Sequence, residues 1–295
     1  MIPPMAAAFD ATRSATSPGA PADDHIVDVL IKERAPRLSA SWAWPLARPL
    51  LYALLDYRKA RAMADRVAAL SGRAAMDYAS SLLDLQVTTY GAERIPPDGG
   101  LIVVVNHPTG LADGVAVDDA LKEVRPDLIF FANADAVRVN PRFQEVFIPV
   151  EWTEAKRTRE RTRLTVKGAQ TALDAGRALV IFPAGRIARL RGGALTDPPW
   201  APSALSLARR HHAPVLPVHL QGPPSTLFRL FDHLSAELRD ITLFHELLNK
   251  RRGAFRLTIG PLIDPGAIGD PAEDIHRLKT YVEGVLPLHP DRPFA

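Results

Sequence analysis

Leu101-Ile102-Val103-Val104-Val105-Asn106-His107-Pro108-Thr109-Gly110-Leu111-Ala112-Asp113-Gly114 joins an unbroken apolar run to a histidine and, six positions later, an aspartate. Five consecutive residues dominated by valine and isoleucine predict a strand buried on both faces. Pro108 and Gly110 forbid its simple continuation, which places His107 at the strand's C-terminal edge. Ligands of α/β proteins bind at such edges. A histidine there can take a proton from a substrate hydroxyl near neutral pH, and a nearby carboxylate can fix its tautomer and stabilise the imidazolium. His107 and Asp113 have the chemistry for that pair. Taken alone, the spacing is better explained by a strand-end histidine bonding a turn while Asp113 caps the next helix. The rest of the chain has to decide.

Outward from this stretch, short apolar runs alternate with helical stretches and Gly/Pro punctuation from Gly91 onward. Strands are predicted at 101–105, 128–132, 147–150, 178–182, 215–220 and 255–259, and helices at 114–124, 154–175, 201–212 and 272–286. The alternation predicts an α/β fold with a mostly parallel sheet flanked by helices. An N-terminal amphipathic helical region precedes it. The expected division is a disordered leader over 1–25, a helical region over 26–88, a main domain over 89–286 and a C-terminal coil over 287–295.

The leader is rich in Ala, Ser, Pro and Gly and has neither a basic start nor an apolar core, so it does not read as a signal peptide. In the helical region Trp42, Trp44, Leu46, Leu50, Leu51, Leu54 and Leu55 are interleaved with Arg48, Arg58 and Arg61. That composition suits helices lying in a membrane interface, and equally helices that pack on a core. Leu230, Leu234, Leu238, Leu243 and Leu247 fit a broken helix that packs or lies on lipid.

Composition narrows the chemistry. The chain has 295 residues, 47% hydrophobic and 23% charged, enough for one large globular domain. With no cysteine there can be no disulfide, thiolate zinc site or cysteine nucleophile. The net charge is +3, and only seven of the 36 basic residues are lysine. Arginine forks match phosphate and carboxylate geometry, although a genomic bias toward arginine codons gives the same count. No window of about 18 apolar residues is present to span a bilayer. Basic residues are not interleaved with aromatics around a groove, and residues 156–163 read as a solvated helix face, which argues against a nucleic-acid partner.

Ala178-Leu179-Val180-Ile181-Phe182-Pro183-Ala184-Gly185-Arg186 repeats the grammar of the first stretch: buried strand, proline, glycine, charge. Arg186, Arg189 and Arg191 beside Gly192 and Gly193 can hold an anionic group, and backbone N–H groups there can face a developing oxyanion. The bland reading is a solvated basic turn. Pro214 and Pro217 predict an edge or bulged strand, on which His219 reads as a core or rim histidine. His211 and His212 end a helix after Arg209 and Arg210, where cations suit the helix dipole, so no metal role is needed. The G-x-S-x-G elbow, the G-x-x-x-x-G-K-[ST] loop, the G-x-G-x-x-G fingerprint and the H-E-x-x-H zinc helix are all absent.

Asn106-His107 with its following Asp113, then Phe182-Pro183-x-Gly185, then Val215-x-Pro217-Val218 occur in the order of the glycerophospholipid acyltransferase family. From about residue 91 to 263 the chain resembles that family, most closely a bacterial branch of hemolysin-like or lyso-ornithine-lipid acyltransferases. Phe147 to Val150, Asp197-Pro198-Pro199-Trp200 and Glu246-Leu247-Leu248-Asn249-Lys250 add to the likeness. The resemblance implies O-acyl transfer from acyl-CoA or acyl carrier protein to a hydroxyl of a lysolipid, in phospholipid or ornithine-lipid synthesis. It further implies a peripheral enzyme on the cytoplasmic face of the inner membrane. In that reading His107 is the general base, Asp113 orients it, and the acceptor oxygen attacks the thioester directly without an acyl-enzyme. Asn106, Thr109, Gly110, Phe182, Pro183, Gly185, Arg186 and Arg189 would bind substrate. Neither metal nor cofactor is implied beyond the acyl carrier.

Two blocks depart from the pattern. The usual Phe-Pro-Glu-Gly-Thr-Arg reads Phe182-Pro183-Ala184-Gly185-Arg186-Ile187, and Phe-Ile-x-Arg reads Phe147-Ile148-Pro149-Val150. These positions grip glycerol 3-phosphate in the wider family, so the sequence leaves the acceptor open. It also leaves two other classes: a non-catalytic peripheral lipid-binding protein, and an acyl-thioester hydrolase.

Overall fold

The computed structural model describes residues 24–151, 158–191 and 194–295. Most of the leader and the first turn of the helix expected at 154–175 lie outside them. Nine strands are described: β1 (Gln86–Tyr90), β2 (Leu101–Val105), β3 (Ile129–Asn133), β4 (Phe147–Val150), β5 (Ala178–Ile181), β6 (Arg189–Arg191), β7 (Ala194–Thr196), β8 (Val215–Gln221) and β9 (Ala254–Ile259). Seven form one sheet in the order β1-β9-β8-β2-β5-β3-β4, while β6 and β7 make a separate antiparallel hairpin. Every pairing in the large sheet is parallel except β8 with β9.

The helices before the sheet are α1 (Ile26–Arg34), α2 (Pro36–Ala40), α3 (Trp44–Leu54), α4 (Tyr57–Ala68) and α5 (Gly72–Leu83). Within and after it come α6 (Leu111–Leu121), α7 (Asp135–Val139), α8 (Arg159–Asp174), α9 (Ser203–His211), α10 (Thr226–Leu234), α11 (Ala236–Asp240), α12 (Leu243–Leu248) and α13 (Pro271–Thr280). A single wider turn, Tyr281–Val285, extends α13.

β2 shows why the opening run has no polar alternation. Leu101, Val103 and Val105 pack with Ala112, Val115, Ala116 and Leu121 of α6 on one face. Ile102 and Val104 pack with Ala169, Leu205 and Leu278 of α8, α9 and α13 on the other. All five strand residues are buried because helices cover both faces of a parallel sheet. A third apolar cluster joins Val27, Ile31, Ala60 and Ala64 of α1 and α4 to Phe231 of α10, so these two helices pack on protein.

Three expectations need correction. The division at 88/89 cuts through β1, which pairs with β9 along its length. Gln86, Thr88 and Tyr90 are exposed on this edge strand, so it lacks the apolar run that marks its neighbours. Second, α6 begins at Leu111 and carries Gly114 inside it, because the turn at Gly110 already starts the helix. Third, β8 is an interior strand between β9 and β2, not an edge.

Its prolines are tolerated for a local reason. Pro214 contributes only its carbonyl, to the N–H of Ile102 at 3.0 Å. Pro217 faces β9 where that chain bulges away. Gly260 donates to the Pro217 carbonyl at 2.9 Å, and the chain returns at Ile263 to exchange two bonds with Val215. The missing N–H of Pro217 therefore falls in a gap of the ladder.

Arg125, fully buried, ties together the edge of the sheet opposite the strand C-termini. Its guanidinium makes two 2.8 Å bonds to Asp127 and donates to the carbonyls of Pro96, Gly99 and Gly176. Arg125→Met removes every one of those donors at a site water does not reach. The Asp127 side chain is 35% exposed, so the cost comes mainly from the buried carbonyls left unmet, and thermal or urea unfolding should show a loss of about 2–3 kcal/mol. A loss below about 1 kcal/mol would mean the loops hold without the clamp.

Candidate active site

The C-terminal ends of β2 and β5 lie side by side because the two strands are parallel and in register, Val104 opposite Ile181. His107 and Phe182 follow these ends, and their rings face each other with centroids 4.6 Å apart. His107 Nδ1 lies 2.8 Å from Asp113 Oδ2. Asp113 has no exposed surface, whereas the His107 side chain keeps 18%.

Asp113 is held from several sides. Its Oδ2 also accepts the backbone N–H of Thr109 at 2.9 Å and of Gly110 at 3.1 Å, and Oδ1 accepts the hydroxyl of Thr109. The N–H of Asp113 in turn donates to the carbonyl of Gly110 at 2.9 Å. So the aspartate caps α6 and orients the histidine at once, and the two readings of the spacing describe one carboxylate. An acidic group in the first turn also suits the helix dipole. With Nδ1–H donating to this carboxylate, the lone pair sits on Nε2, the nitrogen a general base uses.

The turn that brings the two groups together needs its glycine. Gly110 has φ +105°, and a Cβ there would stand 2.9 Å from Ile187 Cδ1. Ile187 belongs to the loop after β5, which is pinned to the first block by the N–H of Ala188 donating to the carbonyl of His107 at 2.8 Å. From the other side Ser225 donates its hydroxyl to the carbonyl of Thr109 at 3.4 Å. That loop is braced by the buried Lys250–Glu246 pair at 2.9 Å, with Lys250 also reaching the carbonyl of Pro224.

The remaining sequence-derived site residues divide in two. Thr109, Gly110 and Phe182 stand around the His107–Asp113 pair, and Gly185 makes the turn after β5 with φ +61° and its N–H on the carbonyl of Phe182. Pro183 is buried beside them, and its carbonyl accepts the N–H of Ala201. Asn106 is spent inside the fold: its amide donates to the carbonyl of Leu220 at 2.9 Å and accepts the Leu220 N–H at 2.7 Å. It splints β2 to β8. Arg186 is exposed to solvent. Arg189 reaches toward Asp232 of α10, at 3.9 Å, with its Nε buried and without a hydrogen-bond partner. His219 bonds the carbonyl of Val282 at 2.9 Å, and burial lowers its pKa, which keeps it neutral and structural.

Sequence reasoning gave no role to Asp197, yet it touches the site. Both its carboxylate oxygens lie 3.1 Å from the backbone nitrogen of His107, and Oδ2 accepts the indole N–H of Trp200 at 2.9 Å. Burial pushes its pKa up to about 6 against the opposing pull of Trp200 and His107. The only sequence signal was its place at the head of Asp197-Pro198-Pro199-Trp200.

A histidine held by a buried carboxylate at the carboxyl edge of a mostly parallel sheet defines the class: an α/β protein whose strand ends carry a group able to accept a proton. Residues 86–221 match the Acyltransferase domain family. Lyso-glycine lipid O-acyltransferase of Phocaeicola vulgatus is 27% identical over 192 residues, covering 63% of this chain and 67% of that protein. Its namesake from Bacteroides thetaiotaomicron is 23% identical over 217 residues, covering 72% and 78%. A solved structure, the 1-acyl-sn-glycerophosphate (LPA) acyltransferase PlsC from Thermotoga maritima, aligns over 88% of this chain and 94% of that one, with a TM-score of 0.46 and 16% identity. The chain carries an Acyltransferase domain over residues 86–221 and is similar to lipid O-acyltransferases over a longer stretch.

Proposed function

We propose that the protein moves a fatty acyl group from an acyl thioester, on coenzyme A or acyl carrier protein, to a hydroxyl of a lysolipid. The observation that carries this reading is the His107–Asp113 pair, buried on the aspartate side and open on the histidine side. His107 Nε2 takes the proton of the acceptor hydroxyl as its oxygen attacks the thioester carbonyl. Asp113 holds the ring and stabilises the imidazolium. When the tetrahedral intermediate collapses, the thiolate leaves and His107 returns the proton to it, so the base is restored without a covalent acyl-enzyme.

The named relatives make lyso-glycine lipid the first acceptor to try. Lyso-ornithine lipid and lysophosphatidic acid are its competitors, and the departures at Val150 and Ala184 favour an acceptor other than a glycerol phosphate. Purified protein given radiolabelled acyl-CoA or acyl-ACP and this panel should label one acceptor above the rest. Fatty acid released equally fast with and without acceptor would assign a hydrolase instead.

Peripheral attachment to the cytoplasmic face of a membrane belongs to the same proposal. Among the described residues no helix is long and apolar enough to cross a bilayer. Trp42, Leu46, Leu50 and Leu54 recur at four-residue spacing along α3 and its lead-in turn, and all four are exposed, Leu46 and Leu50 by three quarters. That stripe fits insertion into a lipid interface, with Arg48 and Arg58 near the headgroups. Because α1 and α4 are packed into the protein, deletion of residues 26–85 would disrupt the fold, and point changes make the better test. Leu46→Asp with Leu50→Asp should weaken partition onto anionic vesicles by well over about tenfold, since each leucine gains roughly 1.5–3 kcal/mol on burial. Unchanged sedimentation with vesicles would leave α3 without this role.

A further inference from the structure

Asp197 stands where β2 runs out of partners. Leu101 N–H bonds the carbonyl of Arg177 on the β5 side, and Ile102 N–H bonds the carbonyl of Pro214 on the β8 side. Continuing that alternation sends the N–H of His107 toward β5. There the neighbouring chain has already turned away at Pro183, and no strand carbonyl meets it. The Asp197 carboxylate fills the gap, both oxygens 3.1 Å from that nitrogen. Trp200 and Glu283 complete the fixture: the indole donates to Asp197, and the Asp197 N–H donates to Glu283 Oε1 at 2.7 Å.

We infer that Asp197 is a positioning residue of the acyl-transfer site, acting through His107 by fixing its backbone and setting a negative charge near it. This rests on His107 being the base. An acceptor alone did not require a carboxylate. An asparagine oxygen could take the same two N–H groups without burying a charge, and Asp197 is 3% exposed. Keeping the anion there therefore costs stability. What the charge adds is attraction for the imidazolium that His107 becomes as the acceptor loses its proton. The charged groups facing Asp197 are His107 at the end of β2 and Glu283 on the turn after α13, the latter itself neutralised by Lys279.

The sign of the stability effect follows from burial raising the Asp197 pKa from 3.8 to about 6. The folded protein holds that proton more tightly than the unfolded chain, so the penalty is complete above about pH 6 and gone below about pH 4. Asp197→Asn tests the whole inference. Its expected kcat is down by about tenfold or more with KM for both substrates unchanged, as for loss of an interaction made only in the transition state. The acid limb of its pH–rate profile should move to lower pH, because the imidazolium has lost a counter-charge. Its melting temperature should not fall at pH 7.5, and the gain in stability that the native protein shows on going from pH 7.5 to pH 5 should be diminished.

Wild-type kcat with an unmoved acid limb would overturn the inference. So would kcat and melting temperature falling together with the limb in place, which is the signature of a purely structural link. Trp200→Phe, which keeps the charge and removes one bond, should leave the limb where it is. His107→Ala in the same assay separates this inference from the one beneath it. Turnover retained there refutes the base, whereas turnover lost there and intact in Asp197→Asn refutes only the role of Asp197.

Discussion

His107→Ala should lower kcat by about 10³- to 10⁴-fold, at the upper end for removal of a general base, while KM for the acyl thioester and the lysolipid stays within about threefold. The acceptor hydroxyl is a poor nucleophile while it keeps its proton, and no other imidazole replaces the lost one. His219 is turned to the carbonyl of Val282, and His245 of α12 is paired with Asp56. The fold should not suffer. Without the ring, Asp113 still accepts two backbone N–H groups and the Thr109 hydroxyl. Only the tilted ring contact with Phe182 and one hydrogen bond are lost, so the melting curve should move by no more than about 1–2 kcal/mol in free energy. His107→Gln adds a control, because glutamine can donate to Asp113 but cannot take a proton. Equal loss in both variants shows that basicity matters, and turnover above about a tenth of wild type in either refutes the assignment.

The sheet was legible wherever it is buried on both faces. β2, β5 and β8 carry apolar runs that stand out because helices cover both sides. β1 escaped notice because an edge strand exposes Gln86, Thr88 and Tyr90. The hairpin of β6 and β7 escaped because its arginines and double glycine read as a loop. Of the site, the pair His107 and Asp113 was visible because both members sit in one short stretch joined by a turn. Asp197 was not, since it meets His107 across 90 residues through a backbone nitrogen, and no side-chain pattern records that kind of contact. Asn106 shows the opposite error. Its position at a strand end suggests a ligand, but the same position lets its amide bond both backbone groups of Leu220.

Asp113 couples chemistry to folding more tightly than His107 does, and its two simplest substitutions should separate the two. Asp113→Ala leaves the N–H groups of Thr109 and Gly110, the Thr109 hydroxyl and the His107 ring N–H facing an empty buried site. Its stability should drop by about 3–5 kcal/mol, in contrast to the small change in His107→Ala. Asp113→Asn keeps the shape but not the charge. With its carbonyl oxygen in the place of Oδ2 it still accepts the turn N–H groups and the Nδ1–H of His107, while its NH₂ in the place of Oδ1 meets the Thr109 hydroxyl, which can accept. The ring keeps its tautomer, and what is lost is the negative charge that stabilises the imidazolium. Activity in Asp113→Asn should therefore fall by about 10²- to 10³-fold, the size of loss when one electrostatic stabiliser of the transition state is removed. Combining it with His107→Ala should cost little more, since both act on one proton transfer. Turnover within about tenfold of wild type in Asp113→Asn, in protein whose melting curve is intact, would show that the carboxylate serves α6 alone.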